Sequence, residues 1–229
     1  MNKLGIIIQA RSGSKRFPKK IFQIIGKKSI LEHVISRLKK IKLKKKIIIA
    51  TTKHNDDRII KNIAKKNKCE FFFGSENNVL QRFYLAAKKF KICNIVRICA
   101  DSPFIDPEII KKAVNEFKKG NFDVISNTYR RTYPKGMSVE VFSLPTLKKA
   151  SFFAKSKAEK EHITKVFYKY PNLFKIKNLK NNKQLADYSF VIDYPLQLNY
   201  LRKIYSKLIE LKIENKYKLK NLIQIAKTI

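Results

Sequence analysis

The chain has 229 residues, 44% hydrophobic and 11% aromatic, and its 52 Lys plus Arg against 17 Asp plus Glu give a formal charge of +35. That length can bury one large core, and the composition is globular, which excludes a repeat array and a disulfide-stapled mini-protein. No apolar run approaches the roughly 18 residues needed to cross a bilayer, so no membrane partner is expected.

The first half alternates short apolar runs with amphipathic segments. Leu4 to Ile8, Lys46 to Ala50, Glu70 to Phe73, Asn94 to Cys99 and Asp123 to Ser126 are β-branched or aromatic runs too brief for helices. Between them, Ser29-Ile-Leu-Glu32 reads as a capping box that opens a helix. Asn55 opens another, running to about Asn67, with Asp56 and Asp57 suited to the positive end of its dipole. Asp106 before Pro107 is the N-cap of a third. Strand and helix in this order predict βαβ units: an α/β fold whose mixed, mostly parallel sheet is flanked by helices.

After about residue 128 the pattern changes. Met137 to Phe142 reads as a strand, and Ser156-Lys-Ala-Glu159 is a second capping box opening a helix to about Tyr168. Leu173 to Ile176 and Tyr188 to Ile192 read as further strands, and helices from about Leu196 to Leu211 and from Lys216 onward finish the chain. No Gly/Ser-rich linker divides it, so residues 1–229 are expected to form a single domain with an antiparallel excursion in its second half.

The charge invites a polyanion, but only nine of the basic residues are Arg, the side chain that base readout and bidentate phosphate clamping favour. Lys is spread along the whole chain beside abundant Ile and Asn, with 6 Gly and no Trp, as an A/T-rich coding sequence would impose. Most of the charge therefore reads as solvated helix face, and nucleic acid is not the expected partner. Cys69, Cys93 and Cys99 lack CxxC spacing and read as buried free thiols in a reducing compartment. With no signal-peptide pattern at the N-terminus, the expected location is cytoplasmic.

The most informative segment is Gln9-Ala-Arg-Ser-Gly-Ser-Lys-Arg-Phe-Pro-Lys-Lys20, directly after the first strand. Small residues at 12 to 14 let backbone amides turn toward an anion, and Arg11, Lys15, Arg16, Lys19 and Lys20 surround the same loop. Open α/β sheets bind ligands at this edge, although the spacing fits neither the Walker loop nor GxGxxG. Asp101 ends the strand at 94 to 100, and Asp193 repeats the arrangement in Val-Ile-Asp193-Tyr-Pro. Strand-terminal carboxylates are suited to hold Mg²⁺ against substrate phosphates. Each aspartate also fits ordinary turn chemistry.

These segments resemble the cytidylyltransferase superfamily, and within it the spore-coat polysaccharide biosynthesis protein F type, related to the CMP-ketodeoxyoctonate and acylneuraminate synthetases. The resemblance rests on residues 9 to 20, Gly74-Ser-Glu-Asn-Asn-Val-Leu-Gln-Arg82, Val96 to Pro107 and Ser126-Asn-Thr. It continues through Arg131-Thr-Tyr-Pro-Lys-Gly136, Val139-Glu-Val-Phe142, Glu161-His-Ile-Thr164 and Asp193-Tyr-Pro195, in family order over almost the whole chain. It implies a nucleotide-diphospho-sugar transferase-like, Rossmann-like fold and transfer of CMP from CTP to a sugar or sugar acid, with release of pyrophosphate, for cell-surface polysaccharide synthesis. By resemblance, Arg11, Lys20 and the amides of Ser12, Gly13 and Ser14 hold the triphosphate, with Ala10 and Arg97 beside the nucleotide. Asp101 and Asp193 hold Mg²⁺ on the α-phosphate, so that Asp101, Asp193, Lys20 and Arg11 are the catalytic set. Arg131, Glu140 and His162 contact the sugar, and Glu140, costly to bury alone, calls for a partner such as Arg131 or a ligand hydroxyl. Arg82 fits either a nucleotide contact or a pair with Glu76 or Asp101.

The chain departs from the pattern at Lys19, where the family has Gly and where positive φ is harder to reach. It departs also at Cys99-Ala100, at Ser138 and after Asp193. A glycosyltransferase using a nucleotide-sugar donor, or a polyanion-binding protein with a lost active site, remain the other readings. Oligomeric state stays open, a homodimer included.

Overall fold

The computed structural model describes residues 3–229. Its strands are β1 (Leu4–Gln9), β2 (Ile24–Ile25), β3 (Lys28–Ser29), β4 (Lys45–Thr52), β5 (Glu70–Gly74), β6 (Asn94–Cys99), β7 (Val124–Ser126), β8 (Glu140–Ser143) and β9 (Ile176–Asn178). β2 and β3 form a hairpin, and the others form one seven-stranded sheet in the order β5-β4-β1-β6-β8-β7-β9. β1 lies parallel to both β4 and β6, while β8 is antiparallel to β6 and β7. The expected mixed, mostly parallel sheet with an antiparallel excursion is therefore present.

The helices are α1 (Ile30–Lys39), α2 (Arg58–Lys66), α3 (Val79–Lys89), α4 (Pro107–Lys118), α5 (Leu144–Phe153), α6 (Lys157–Glu161), α7 (Ile163–Lys169), α8 (Pro195–Glu210) and α9 (Leu219–Ala226). Central strands buried on both faces read as continuous apolar runs rather than alternating ones. Along β1, Ile6 and Ile8 pack with Val96 and Ile98 under α1, α4 and α8, while Ile7 packs with Ile48, Ile95 and Phe142 under α3, α5 and α7. Both capping boxes form: Glu32 N–H donates to Ser29 Oγ at 3.3 Å and Glu159 N–H to Ser156 Oγ at 3.2 Å, each Glu reaching back to its cap. Asp106 caps α4 through Glu108 N–H at 3.0 Å and also accepts Leu219 N–H at 2.7 Å, tying the start of α9 to the start of α4.

Several boundaries differ from expectation, where a tertiary partner or a competing local turn takes the hydrogen bonds. The ladder expected from Met137 begins only at Glu140, because the Asn127 side chain accepts Val139 N–H at 2.8 Å and donates to Met137 O at 2.7 Å. The expected strand at 188–192 is a single bridge between Ser189 and Lys135, since its other amides serve different partners. The strand expected at 173–176 starts at Ile176, because Leu173 N–H closes a turn on Tyr170 O and Phe174 is buried in the core. The helix expected from Ser156 to Tyr168 breaks at His162 (φ −111°, ψ 88°), which lets Glu161 reach Arg11 while Ile163, Val166 and Phe167 bury against the sheet. The segment at Asn55 starts as a 3₁₀ turn with α2 beginning at Arg58, and the last helix begins at Leu219 after a turn on Ile213 O. Cys93 is exposed and Cys69 and Cys99 are half-buried, so the thiols are free but not the buried set expected.

Candidate active site

Sequential strands leave β1 first for β4 on one side and later for β6 on the other, so the crevice where the order reverses opens at the carboxyl ends of these three strands. The loop that leaves β1 there is anchored from the start of α2. Asp57, fully buried at the N-cap of α2 as the sequence suggests, does not use its carboxylate to cap that helix; its Oδ1 accepts Ser12 N–H at 2.7 Å and its Oδ2 accepts Thr51 Oγ1 at 2.9 Å, Thr52 N–H at 3.2 Å and Thr52 Oγ1 at 2.5 Å. Burial opposes its charge, but these donors hold its pKa below the ordinary carboxylate value. Ser12 O in turn accepts the amides of Ser14 at 2.8 Å and Lys19 at 2.9 Å, closing the loop on itself. The Ser12 and Ser14 amides are thus spent inside the protein, which corrects the expectation that they face an anion.

Lys19 reaches φ 57° without being glycine, so the departure at this position leaves the left-handed turn in place. Lys20 then opens the 3₁₀ turn Lys20–Phe22 with its side chain directed inward. Its ammonium donates to Asp101 Oδ2 at 2.8 Å, Asp193 Oδ1 at 2.9 Å and Ile192 O at 2.7 Å. Burial lowers the pKa of such a group, yet the two aspartates outweigh it and raise the Lys20 value. Asp193 is held low by Lys20 and by Arg16, whose Nη2 lies 2.8 Å from Asp193 Oδ1, against the opposing effect of burial.

What brings the two aspartates together is backbone: Ile192 N–H donates to Asp101 O at 3.0 Å. Upstream, Gly136 (φ 88°) makes the turn in which Met137 N–H meets Pro134 O, and Lys135 brackets Ser189 through Tyr188 O and Phe190 N–H. A Cβ at Gly136 would lie 2.5 Å from Phe190 O, so only glycine fits.

The opposite wall is a buried polar chain. Arg97, on β6, donates from Nη1 to Glu140 Oε2 at 3.0 Å and from Nε and Nη2 to Gln9 Oε1 at 3.2 and 2.9 Å. Glu140 Oε1 accepts Thr128 Oγ1 at 3.0 Å, and the Tyr168 hydroxyl lies 2.7 Å from Thr128 Oγ1 and 2.6 Å from Ser126 Oγ. Burial pushes the Tyr168 hydroxyl up to about 12, with Glu140 acting in the same sense, so it stays protonated. Burial likewise pushes the Cys99 thiol up to about 11 and, with Lys165, keeps His162 below its ordinary value and uncharged at neutral pH. An arginine can only donate, so Gln9 must present Oε1 to Arg97, which aims its amide N–H groups elsewhere.

Between the walls lies a cavity of about 540 Å³, in the range of small-molecule sites. Arg11, Lys15, Arg16, Lys20 and Arg97 line it with Asp101, Glu161 and Asp193, leaving an excess of two positive charges. Ser14 and His162 also line it. Arg11 bridges Glu161 at 3.3 Å and Glu76 at 3.9 Å, a contact no sequence pattern had assigned to Glu161. Of the residues expected at the sugar, only His162 reaches the cavity wall. Arg131 instead donates to Pro134 O and Ser138 Oγ, and Glu140 takes Arg97 rather than Arg131 as its partner. Arg82 pairs with neither Glu76 nor Asp101; its Nη1 donates to Ser75 O at 2.8 Å.

A nucleotide-diphospho-sugar transferase-type sheet with a cationic loop facing two carboxylates defines the class. The profile of the cytidylyltransferase family matches residues 5–229, and the chain belongs to this nucleotidyltransferase family. It is 42% identical over 170 residues to an uncharacterised protein of Methanocaldococcus jannaschii, covering 74% of this chain and 69% of that one. It is 29% identical over 215 residues to the spore coat polysaccharide biosynthesis protein SpsF of Bacillus subtilis, covering 90% and 88%. Its fold superposes on a cytidylyltransferase from Leptospira borgpetersenii serovar Hardjo-bovis with a TM-score of 0.93 at 32% identity, covering 99% and 94%. Among the described residues no helix is long and apolar enough to cross a membrane.

Proposed function

We propose that this protein transfers CMP from CTP to a sugar or sugar acid in the cytoplasm, with release of pyrophosphate, for surface polysaccharide synthesis. The observation that carries the reading is the cavity at the switch point, where cationic side chains of the β1 loop face Asp101 and Asp193. Its positive excess complements a metal-bound nucleoside triphosphate, which carries a net charge of about −2. The relation to SpsF favours a polysaccharide precursor as product.

The two aspartates fit Mg²⁺: they are close, oxygen-only, partly exposed at 24% and 27%, and already share one cation, the Lys20 ammonium. When bound there, Mg²⁺ would neutralise charge on the α-phosphate. Arg11, Lys15 and Arg16 would hold the β- and γ-phosphates in line, and neutral His162 would contact the acceptor. The acceptor oxygen forms its bond to the α-phosphorus as the bond to the β-phosphate bridge breaks, and pyrophosphate leaves with that electron pair.

Thermal shift with the four nucleoside triphosphates and Mg²⁺ tests the reading, with a rise in melting temperature expected for CTP. Pyrophosphate release from CTP with a sugar-acid panel should vanish in Asp101→Asn and Asp193→Asn. Absence of any nucleotide effect, with steeply salt-dependent binding of long DNA, would replace it by the polyanion reading.

A further inference from the structure

We propose that the Lys20 ammonium occupies the divalent-cation position between Asp101 and Asp193 in the nucleotide-free protein, so that a divalent cation binds there only together with a nucleotide. This rests on the nucleotidyltransferase reading above and adds an order to it. A lysine ammonium has three N–H donors, and all three are spent, on Asp101 Oδ2, Asp193 Oδ1 and Ile192 O. The Lys20 side chain is only 10% exposed, so the ammonium sits inside the oxygen cage rather than over it. Arg16 lies on the same Asp193 oxygen that Lys20 uses. Two carboxylates are therefore already matched by two cations from one loop, and a divalent cation added alone would meet both at close range without new anions to share.

The geometry also says which group moves. Asp101 and Asp193 are fixed to each other through Ile192 N–H on Asp101 O, and Gln197 Oε1 accepts Asp193 N–H at 2.6 Å. Lys20 is held at its ammonium by three hydrogen bonds and no covalent tie, and its four-carbon stem, rooted on a loop held by Ser12 and Asp57, can carry that ammonium to other oxygens once they are supplied. A triphosphate gives a displaced Lys20 and Arg16 new oxygens, whereas a bare cation gives them none. Cation and nucleotide then bind with positive coupling, and by linkage each raises the affinity of the other.

Mn²⁺ alone is the probe, followed on the full chain by electron paramagnetic resonance of the free ion, with no nucleotide present. Lys20→Met removes the charge and keeps the stem; it should bind Mn²⁺ at least tenfold more tightly than wild type. Adding Asp101→Asn should abolish that gain. Lys20→Gln serves as a second uncharged variant should the Met protein fold poorly, checked by circular dichroism, and Lys20→Arg should exclude Mn²⁺ as wild type does. Wild type that binds Mn²⁺ as tightly as the uncharged variants, or uncharged variants that gain nothing, would overturn the proposal. A separate CTP thermal shift keeps the two readings apart: its failure removes the nucleotidyltransferase reading, whereas the Mn²⁺ contrast decides the role of Lys20.

Discussion

The carboxylate of Asp57 accepts the backbone N–H of Ser12 at 2.7 Å, joining the end of β4 to the loop that leaves β1. A buried carboxylate with several donors leaves each of them unsatisfied when it is removed. Asp57→Ala is therefore expected to cost about 3 kcal/mol in urea unfolding. Asp57→Asn, which turns one acceptor into a donor, should cost nearly as much. Because the folded pKa of Asp57 is lowered, the unfolded chain binds its proton first on acidification. The contribution is then complete above the ordinary carboxylate range, near pH 4, and is lost as pH falls through the lower folded value. The acid limb of stability against pH should be shallower in Asp57→Asn than in wild type; identical limbs would mean that Asp57 does not carry this share.

Arg97 and Glu140 face each other across β6 and β8 with side chains 12% and 3% exposed. Burial opposes the Arg97 charge, but the Glu140 carboxylate, 3.0 Å away, helps keep the Arg97 pKa raised. Glu140→Ala strands a buried guanidinium and should cost about 3–5 kcal/mol. Glu210→Ala, breaking the exposed pair with Lys207 at 2.7 Å, should cost no more than about 0.5 kcal/mol. Equal midpoints for the two variants in denaturant titration would refute this division between wall and surface.

Local pattern made β1, β4, β5 and β6, the Ser29 and Ser156 caps and the loop from Gln9 to Lys20 legible, because short apolar runs and capping residues act within a few positions. What escaped was set by distant partners. The Asp57 to Ser12 bond spans 45 residues and the Arg11 to Glu161 bond 150. An Asn-Asp-Asp run before an amphipathic helix announces the helix start, but that Asp57 also anchors the β1 loop depends on the distant Ser12 amide and the buried Thr51 and Thr52 hydroxyls. An acid among apolar residues announces that Glu140 needs a partner, but strand register, which sets it opposite Arg97, is not written in either segment alone.

Arg82 is fully buried and donates from Nη1 to Ser75 O, while its Nε and Nη2 have no partner among the described residues. Burial, aided by the nearby Arg11 charge, pulls its pKa down to about 10. Arg82→Met keeps an unbranched stem and removes an unmatched charge, at the expense of one hydrogen bond to Ser75. The variant is expected to gain about 1–3 kcal/mol, read as a higher urea midpoint at unchanged slope. A lower midpoint would show that Arg82 holds a group worth more than its burial.

Lys68, Lys91 and Lys212 stand at φ 52°, 54° and 54°, each one residue past the cap of α2, α3 and α8. The following amides complete the same motif three times: Cys69 N–H on Ala64 O, Ile92 N–H on Ala87 O and Ile213 N–H on Leu208 O. This position favours glycine, because a Cβ in the left-handed region crowds the backbone by about 1–2 kcal/mol. The composition that made the chain rich in lysine and poor in glycine has thus placed strain at three helix ends. Lys→Gly at each site releases that strain but loosens the unfolded chain by about 0.5–1 kcal/mol, for a net gain near 0.5–1 kcal/mol per site. The sites are far apart in sequence and share no partner, so the triple variant should gain about 2 kcal/mol, the sum of the three. Lys→Ala at the same sites keeps the Cβ and should gain nothing. A triple Ala variant as stable as the triple Gly variant would assign the effect to lost charge repulsion instead of backbone strain.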